Sequence, residues 1–137
     1  MSIYLISKLC IKFYNFNMIY FNPNPLKKST GDCIIRAICA VTNMSWEDAF
    51  MLLAARALFM CDMPSSNEVW MSVVEDLGFT KYATCCQTVQ EFCDDHPTGT
   101  FILGTGSHVI AVIDGDYYDS WDSGSRMPIV YFKKGEK

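Results

Sequence analysis

The sequence predicts an α+β domain in which helices come first and a small antiparallel β-sheet follows. Three observations carry this expectation. From Asp32 to about His96, apolar residues recur at helical spacing behind recognisable N-cap signatures. From Thr100 onward they come instead in short runs rich in Ile, Val, Tyr and Phe. Between two of those runs stands Asp114-Gly115-Asp116, a strong hairpin signal.

Residues 1–17 stand apart from the rest, rich in Ile, Lys, Asn, Phe and Tyr without a sustained period. They read as a leader ahead of a functional start at Met18, with an added edge strand as the alternative, and residues 18–137 read as one domain. Asn22-Pro23-Asn24-Pro25 should be stiff and extended, because each proline restricts the residue before it. A polar stretch from Lys27 to Gly31 leads to Asp32, a good N-cap, and a first helix through Ala40 with Ile34, Ile35, Ile38 and Val41 at helical spacing. Ser45-Trp46-Glu47-Asp48 reads as a capping box for a second helix through about Met60. Ser65-Ser66-Asn67-Glu68 opens a third, which Gly78 stops as a C′ residue. Thr88 with Glu91 begins a short fourth helix that ends before Pro97. Strands are expected over Thr100–Leu103, His108–Ile113, Tyr117–Trp121 and Ile129–Phe132.

Composition narrows the function classes. A chain of 137 residues, half of them apolar, can bury a real core. The net charge is −4 and the only basic pairs are Lys27-Lys28 and Lys133-Lys134, so a nucleic-acid partner is not expected. The apolar run Ile3–Ile6 is cut by Ser7-Lys8, too short for a signal peptide or a membrane span. Seven cysteines are an odd number, and Cys39, Cys61 and Cys93 fall inside helical patterns where a thiol acts as a small hydrophobe. A reducing, cytoplasmic setting with no membrane partner is the expectation. Cys85, Cys86, Cys93 and His96 match no standard zinc spacing, and neither metal nor cofactor is expected.

Cys33 is the residue whose placement suggests chemistry. A thiol is mostly protonated at neutral pH, and a helix N-terminus favours the anion through its partial positive charge and free N–H groups. Cys33 falls in the first turn of the first helix, behind Gly31-Asp32, where free amides could also hold a developing oxyanion. Two histidines are available as a base. His96 follows two aspartates and precedes Pro97, a solvated-looking position, whereas His108 follows Gly104-Thr105-Gly106-Ser107 and starts an apolar strand. The orienting carboxylate depends on hairpin register. A two-residue turn at Asp114-Gly115 sets Ile110 opposite Asp119 and His108 opposite Trp121, bringing Asp119 diagonal to His108; a three-residue loop favours Asp122 instead. Arg36, one turn after Cys33, either pairs with a carboxylate beneath the site or is solvated. Trp46 and Trp70 read as packing, and Trp121 as packing over the His–Asp pair.

Gly31-Asp32-Cys33 opening an apolar helix, His108 starting a strand, and Asp119-Ser120-Trp121 on the returning strand together resemble the papain-like cysteine peptidase superfamily. The Asp-Cys pair is similar to bacteriocin-processing peptidases and to bacterial cell-wall amidases of that superfamily. From Asn22 through Trp121 the chain looks like small papain-like proteins of bacteria and their phages. The resemblance implies a papain-like fold, a Cys33–His108–Asp119 triad and thiol hydrolysis of a peptide, isopeptide or related amide bond. Papain-like peptidases also carry an oxyanion glutamine ahead of the nucleophile; here that position is Lys27, which leaves Asn24 or Asn22 as substitutes. The partner is then a peptide or protein substrate. The alternatives are a catalytically silent papain-like module that captures a peptide or host protein, and a cell-wall amidase.

Overall fold

The computed structural model describes residues 17–135. The leader proposed from the sequence therefore lies outside the described residues except for Asn17, which is bonded into the fold. Its carbonyl accepts the Tyr117 amide at 2.7 Å, and its Nδ2 donates to the Gly115 carbonyl at 2.9 Å.

Among the described residues four helices and six strands follow in the order β1 (Met18–Tyr20), α1 (Cys33–Thr42), α2 (Trp46–Met60), α3 (Asn67–Asp76), β2 (Phe79–Ala83), α4 (Val89–Asp95), β3 (Thr100–Gly104), β4 (Val109–Ile113), β5 (Asp116–Asp119) and β6 (Val130–Lys134). The strands form one sheet in the order β1-β5-β4-β3-β6-β2. The α+β expectation holds, but the sheet is mixed rather than antiparallel, because β1 runs parallel to β5 with Met18 opposite Tyr117. A three-residue strand has no period to read, and its partner lies about a hundred residues away in sequence. β2 was not anticipated either. Only its first residue, Phe79, is buried, so it shows no apolar alternation. It forms the other edge against β6, where Lys81, Lys133 and Lys134 suit an edge that must not recruit further strands.

Local signals explain the helix boundaries. Ser45 caps α2 by accepting the Asp48 amide, and Thr88 caps α4 by accepting the Glu91 amide. Asn43 and Cys61 end α1 and α2 in left-handed conformations, with φ of 62° and 54°. Cys61 is thereby exposed, not a core residue as its helical context suggested, because it has already left the helix. Gly78, at φ 97°, follows α3 as the C′ signal requires.

The sheet separates two apolar clusters, and successive strand residues alternate between them. Ile102, Val109, Ala111 and Phe132 pack with Ile34, Ile38, Val41, Trp70 and Val73 from α1 and α3. Phe101, Leu103, Ile110, Val112 and Tyr117 pack with Val89, Phe92 and Cys93 of α4. α1 is therefore the central helix, buried on nearly every side between the sheet and α2. Its first residue is Cys33. His96 is also packed, not solvated: its ring stacks on Phe92 at 3.9 Å and its Nδ1 meets the Phe92 carbonyl at 2.8 Å.

The β4–β5 hairpin closes with Asp114 and Gly115, both at positive φ (49° and 83°), between the paired Ile113 and Asp116. This is the two-residue turn of the first alternative. Its ladder, Ala111 to Tyr118 and Val112 to Tyr117, continues by extension to Ile110 with Asp119 and His108 with Trp121.

Among the described residues no helix is long and apolar enough to cross a membrane.

Candidate functional site

A cleft of about 300 Å³ opens at the end of the sheet where α1 begins, with Cys33, Arg36, His108 and Trp121 in its lining. Each chemical group is delivered by a local device. Cys33 comes from the first turn of α1. Asp32 holds the N-cap position, yet its side chain makes no cap hydrogen bond. Its carboxylate is occupied by Arg36 on one oxygen and by the Trp46 indole N–H, at 2.8 Å, on the other. The first-turn amides of α1 thus remain open beside Cys33, which is the arrangement an anion requires. A Cβ on Gly31 would meet no atom within 4 Å, so the glycine is not forced by crowding; the free space belongs to the cleft.

His108 is held by the tight loop between β3 and β4. The Thr105 amide donates to the His108 carbonyl at 2.9 Å, and the His108 amide donates to Thr105 Oγ1 at 3.1 Å. Gly106, at φ 97°, lets the chain turn between them. Imidazole Nε2 lies 2.6 Å from Asp119 Oδ2, which leaves Nδ1 for the thiol side. The Trp121 ring covers the imidazole at 4.6 Å between centroids, as the Asp-Ser-Trp sequence suggested. The Arg126 guanidinium lies 5.3 Å from the centre of that indole on the same loop.

Asp119 is 1% exposed and accepts four hydrogen bonds. Oδ1 takes the Ser120 amide at 2.7 Å and Arg36 at 3.0 Å, and Oδ2 takes Ser123 Oγ and His108, both at 2.6 Å. Burial alone would push this carboxyl up, but the bonds from His108 and Ser123 and the nearby imidazolium charge more than offset it, and its pKa is held below the usual carboxylate value.

The same balance governs the other two groups. Burial favours the neutral thiol of Cys33, but hydrogen bonding to His108 and to the Val109 amide, with the charges of His108 and Arg36, prevails, and the pKa is lowered. Burial likewise opposes charge on His108, yet hydrogen bonds to Asp119 and Cys33 and the charges of both hold it at about 9. Each group is among the causes of the other's shift, so the direction, toward thiolate on Cys33 and imidazolium on His108, belongs to the pair. By contrast, burial pushes Cys39 up to about 11 and Cys93 up to about 12, as expected of inert core thiols.

The structure thus brings Cys33, His108 and Asp119 together. It does not bring the suggested oxyanion asparagines to them. Neither Asn22 nor Asn24 lines the cleft, because both serve the turn of the lead segment. Asn22 Oδ1 accepts the Asn24 amide, and Asn24 Oδ1 accepts the Leu26 amide at 2.9 Å, an Asx turn that bends a segment expected to run straight. Asp122, the alternative orienter, is turned away: its Oδ1 accepts the buried Tyr117 hydroxyl at 2.6 Å and the Gly124 amide at 3.0 Å. Arg36 is 5% exposed and bridges Asp32 to Asp119, the beneath-the-site option for that residue.

Two contributors, Ser123 and the Trp46 indole N–H, escaped the sequence reading. Ser123 follows Asp119 by four residues in a loop whose path no pattern revealed. Trp46 acts through its indole N–H as well as its ring. Asp32 with Arg36 was legible as an oppositely charged pair one helical turn apart. Among the described residues the six cysteines are free and no three His, Cys, Asp or Glu side chains cluster as a metal set.

Comparison with family models, with curated proteins and with solved structures returned no match for this chain.

Proposed function

We propose that the protein is a papain-like cysteine hydrolase that cleaves a peptide, isopeptide or related amide bond through Cys33, His108 and Asp119. One observation carries the reading: a thiol at the open N-terminus of a buried helix shares a cleft with an imidazole that is itself held at 2.6 Å by a buried carboxylate. A structural cysteine has no need of this chain of partners.

In this reading the Cys33 thiolate attacks the substrate carbonyl, forming an S–C bond while the oxyanion turns toward the Cys33 amide and its neighbours at the start of α1. The His108 imidazolium gives its proton to the leaving nitrogen as the C–N bond breaks. Water, deprotonated by the now neutral His108, then attacks the thioester; the S–C bond breaks, the acid product leaves, and Cys33 returns as the thiolate beside the reprotonated imidazolium. Asp119 holds His108 through Nε2, so that Nδ1 faces the sulfur, and stabilises the imidazolium. Arg36 ties the helix bearing the nucleophile to the strand bearing the orienter.

The test uses N-acetylglycine p-nitrophenyl ester as a substrate-independent acyl donor. Release of more than one equivalent of nitrophenolate, with an acetylglycyl adduct on Cys33 in quenched samples, is expected. Cys33→Ser and His108→Ala should abolish both. Turnover that survives Cys33→Ser would defeat the proposal.

A further inference from the structure

Asn67, the first residue of α3, lines the cleft together with Cys33. Its side-chain Oδ1 accepts the Trp70 indole N–H at 2.9 Å. An indole nitrogen only donates, so the contact decides which end of the amide is oxygen and which is nitrogen. Trp70 has little freedom to let go. It is 2% exposed, packs edge-on against Phe132 at 5.5 Å, and its ring lies so near Gly104 that a Cβ there would stand 3.1 Å from it. With Oδ1 engaged, the group that Asn67 offers a ligand is Nδ2, a donor that makes no hydrogen bond to any other described residue.

Besides the first-turn amides of α1, the lining offers the hydroxyls of Thr30, Ser65 and Ser107 and the indole of Trp121, but Asn67 is its one side-chain amide and the one whose orientation a buried partner sets. Arg36 is the one cationic side chain of the lining besides His108, and Asp32 and Asp119 already engage it. The family's oxyanion glutamine has no counterpart here: Lys27 reaches back to the Asn22 carbonyl at 2.8 Å, and Asn22 and Asn24 serve the turn. A pre-oriented neutral N–H donor in the same cleft as a nucleophile suits a carbonyl oxygen.

We propose that Asn67 donates a hydrogen bond from Nδ2 to a carbonyl oxygen of the acyl group presented to Cys33, a proposal that rests on the hydrolase reading. Trp70 is then a positioning residue that keeps the amide the right way round.

The experiment compares wild type, Asn67→Ala and Asn67→Asp with two reagents. N-acetylglycine p-nitrophenyl ester presents both the reacting carbonyl and the next one along the chain. Iodoacetamide reports only the nucleophilicity of Cys33. The Asp variant keeps the acceptor for Trp70 and replaces the donor by a carboxylate, whose charge is registered by the alkylation rate, and position 67 is exposed, so both variants should fold. The ratio of ester kcat/KM to the Cys33 alkylation rate constant is expected to fall roughly tenfold or more in both variants. A ratio unchanged in both, in a protein whose wild type turns over the ester, overturns the Asn67 assignment alone. A wild type that neither releases nitrophenolate nor alkylates selectively at Cys33 overturns the hydrolase reading, and this proposal with it.

Discussion

Replacing Asp119 by Asn should lower the pKa of His108 while leaving the shape of the site nearly intact. In the native protein His108 sits at about 9 instead of 6.5, a difference worth roughly 3 kcal/mol in favour of the imidazolium. Burial works against that charge, so the partners supply more than the net figure, and Asp119 is the first of them. Removing its negative charge should bring His108 down by at least about one pH unit, the usual size for an opposite charge in contact. NMR titration of the ring signals measures this directly. The chain has only two histidines, and a His96→Gln variant assigns them. The consequence for activity follows. Acyl transfer needs thiolate and imidazolium together, so its alkaline limit, near pH 9 in the wild type, should move toward neutrality in the variant. If His108 titrates near 6.5 in the wild type, or stays near 9 in Asp119→Asn, the electrostatic account of the site is wrong.

Stability should carry the same signature. Asp119 is held low, so its contribution is present above 3.8 and lost as pH falls through its lower folded value; His108 is held high, so its contribution is full below 6.5 and lost as pH rises through about 9. The Tm advantage of wild type over Asp119→Asn should therefore be largest between those limits, and an advantage that stays flat from about pH 3 to 10 would contradict the pairing. Asp122→Ala should cost about 1–3 kcal/mol in urea unfolding, because it strands the buried Tyr117 hydroxyl, yet change Cys33 alkylation only a few-fold. Loss of Cys33 reactivity in Asp122→Ala but not in Asp119→Asn would reverse the choice of orienter. Trp46→Phe keeps most of the ring but removes the N–H that holds Asp32, and should cost about 2 kcal/mol. An unchanged urea midpoint would return Trp46 to simple packing.

Much of this site was legible because its parts are tied to strong local signals. Asp32-Cys33 opening a run of apolar helical spacing located the thiol at the start of α1. Asp114-Gly115 located its carboxylate neighbour, because a turn with both residues at positive φ allows one register, which by extension sets His108 opposite Trp121 and diagonal to Asp119. What escaped has no local signature. Strand β1 is three residues long and its parallel partner is distant in the chain. Strand β2 is exposed along most of its length, so it lacks the alternation that betrays a half-buried strand. Asn22 and Asn24 looked free because the sequence does not reveal that a side-chain amide will serve its own turn. Asn67 was passed over for the converse reason: it read as part of a helix start, and only the fold carries that start to the edge of the cleft.

The most direct test is the relative alkylation rate of the cysteines at pH 6.5. An ordinary thiol is only about 1% ionised there, so full ionisation multiplies the reactive fraction up to about 100-fold, and the lower basicity of the resulting thiolate gives back roughly 10- to 30-fold. Brief exposure to iodoacetamide followed by mass-spectrometric mapping should find Cys33 modified roughly three to ten times faster than the exposed Cys61 and Cys85, with the advantage lost in His108→Ala. A Cys33 that reacts no faster than those exposed thiols, or whose rate is indifferent to His108, would contradict the claim that its sulfur is held as an anion.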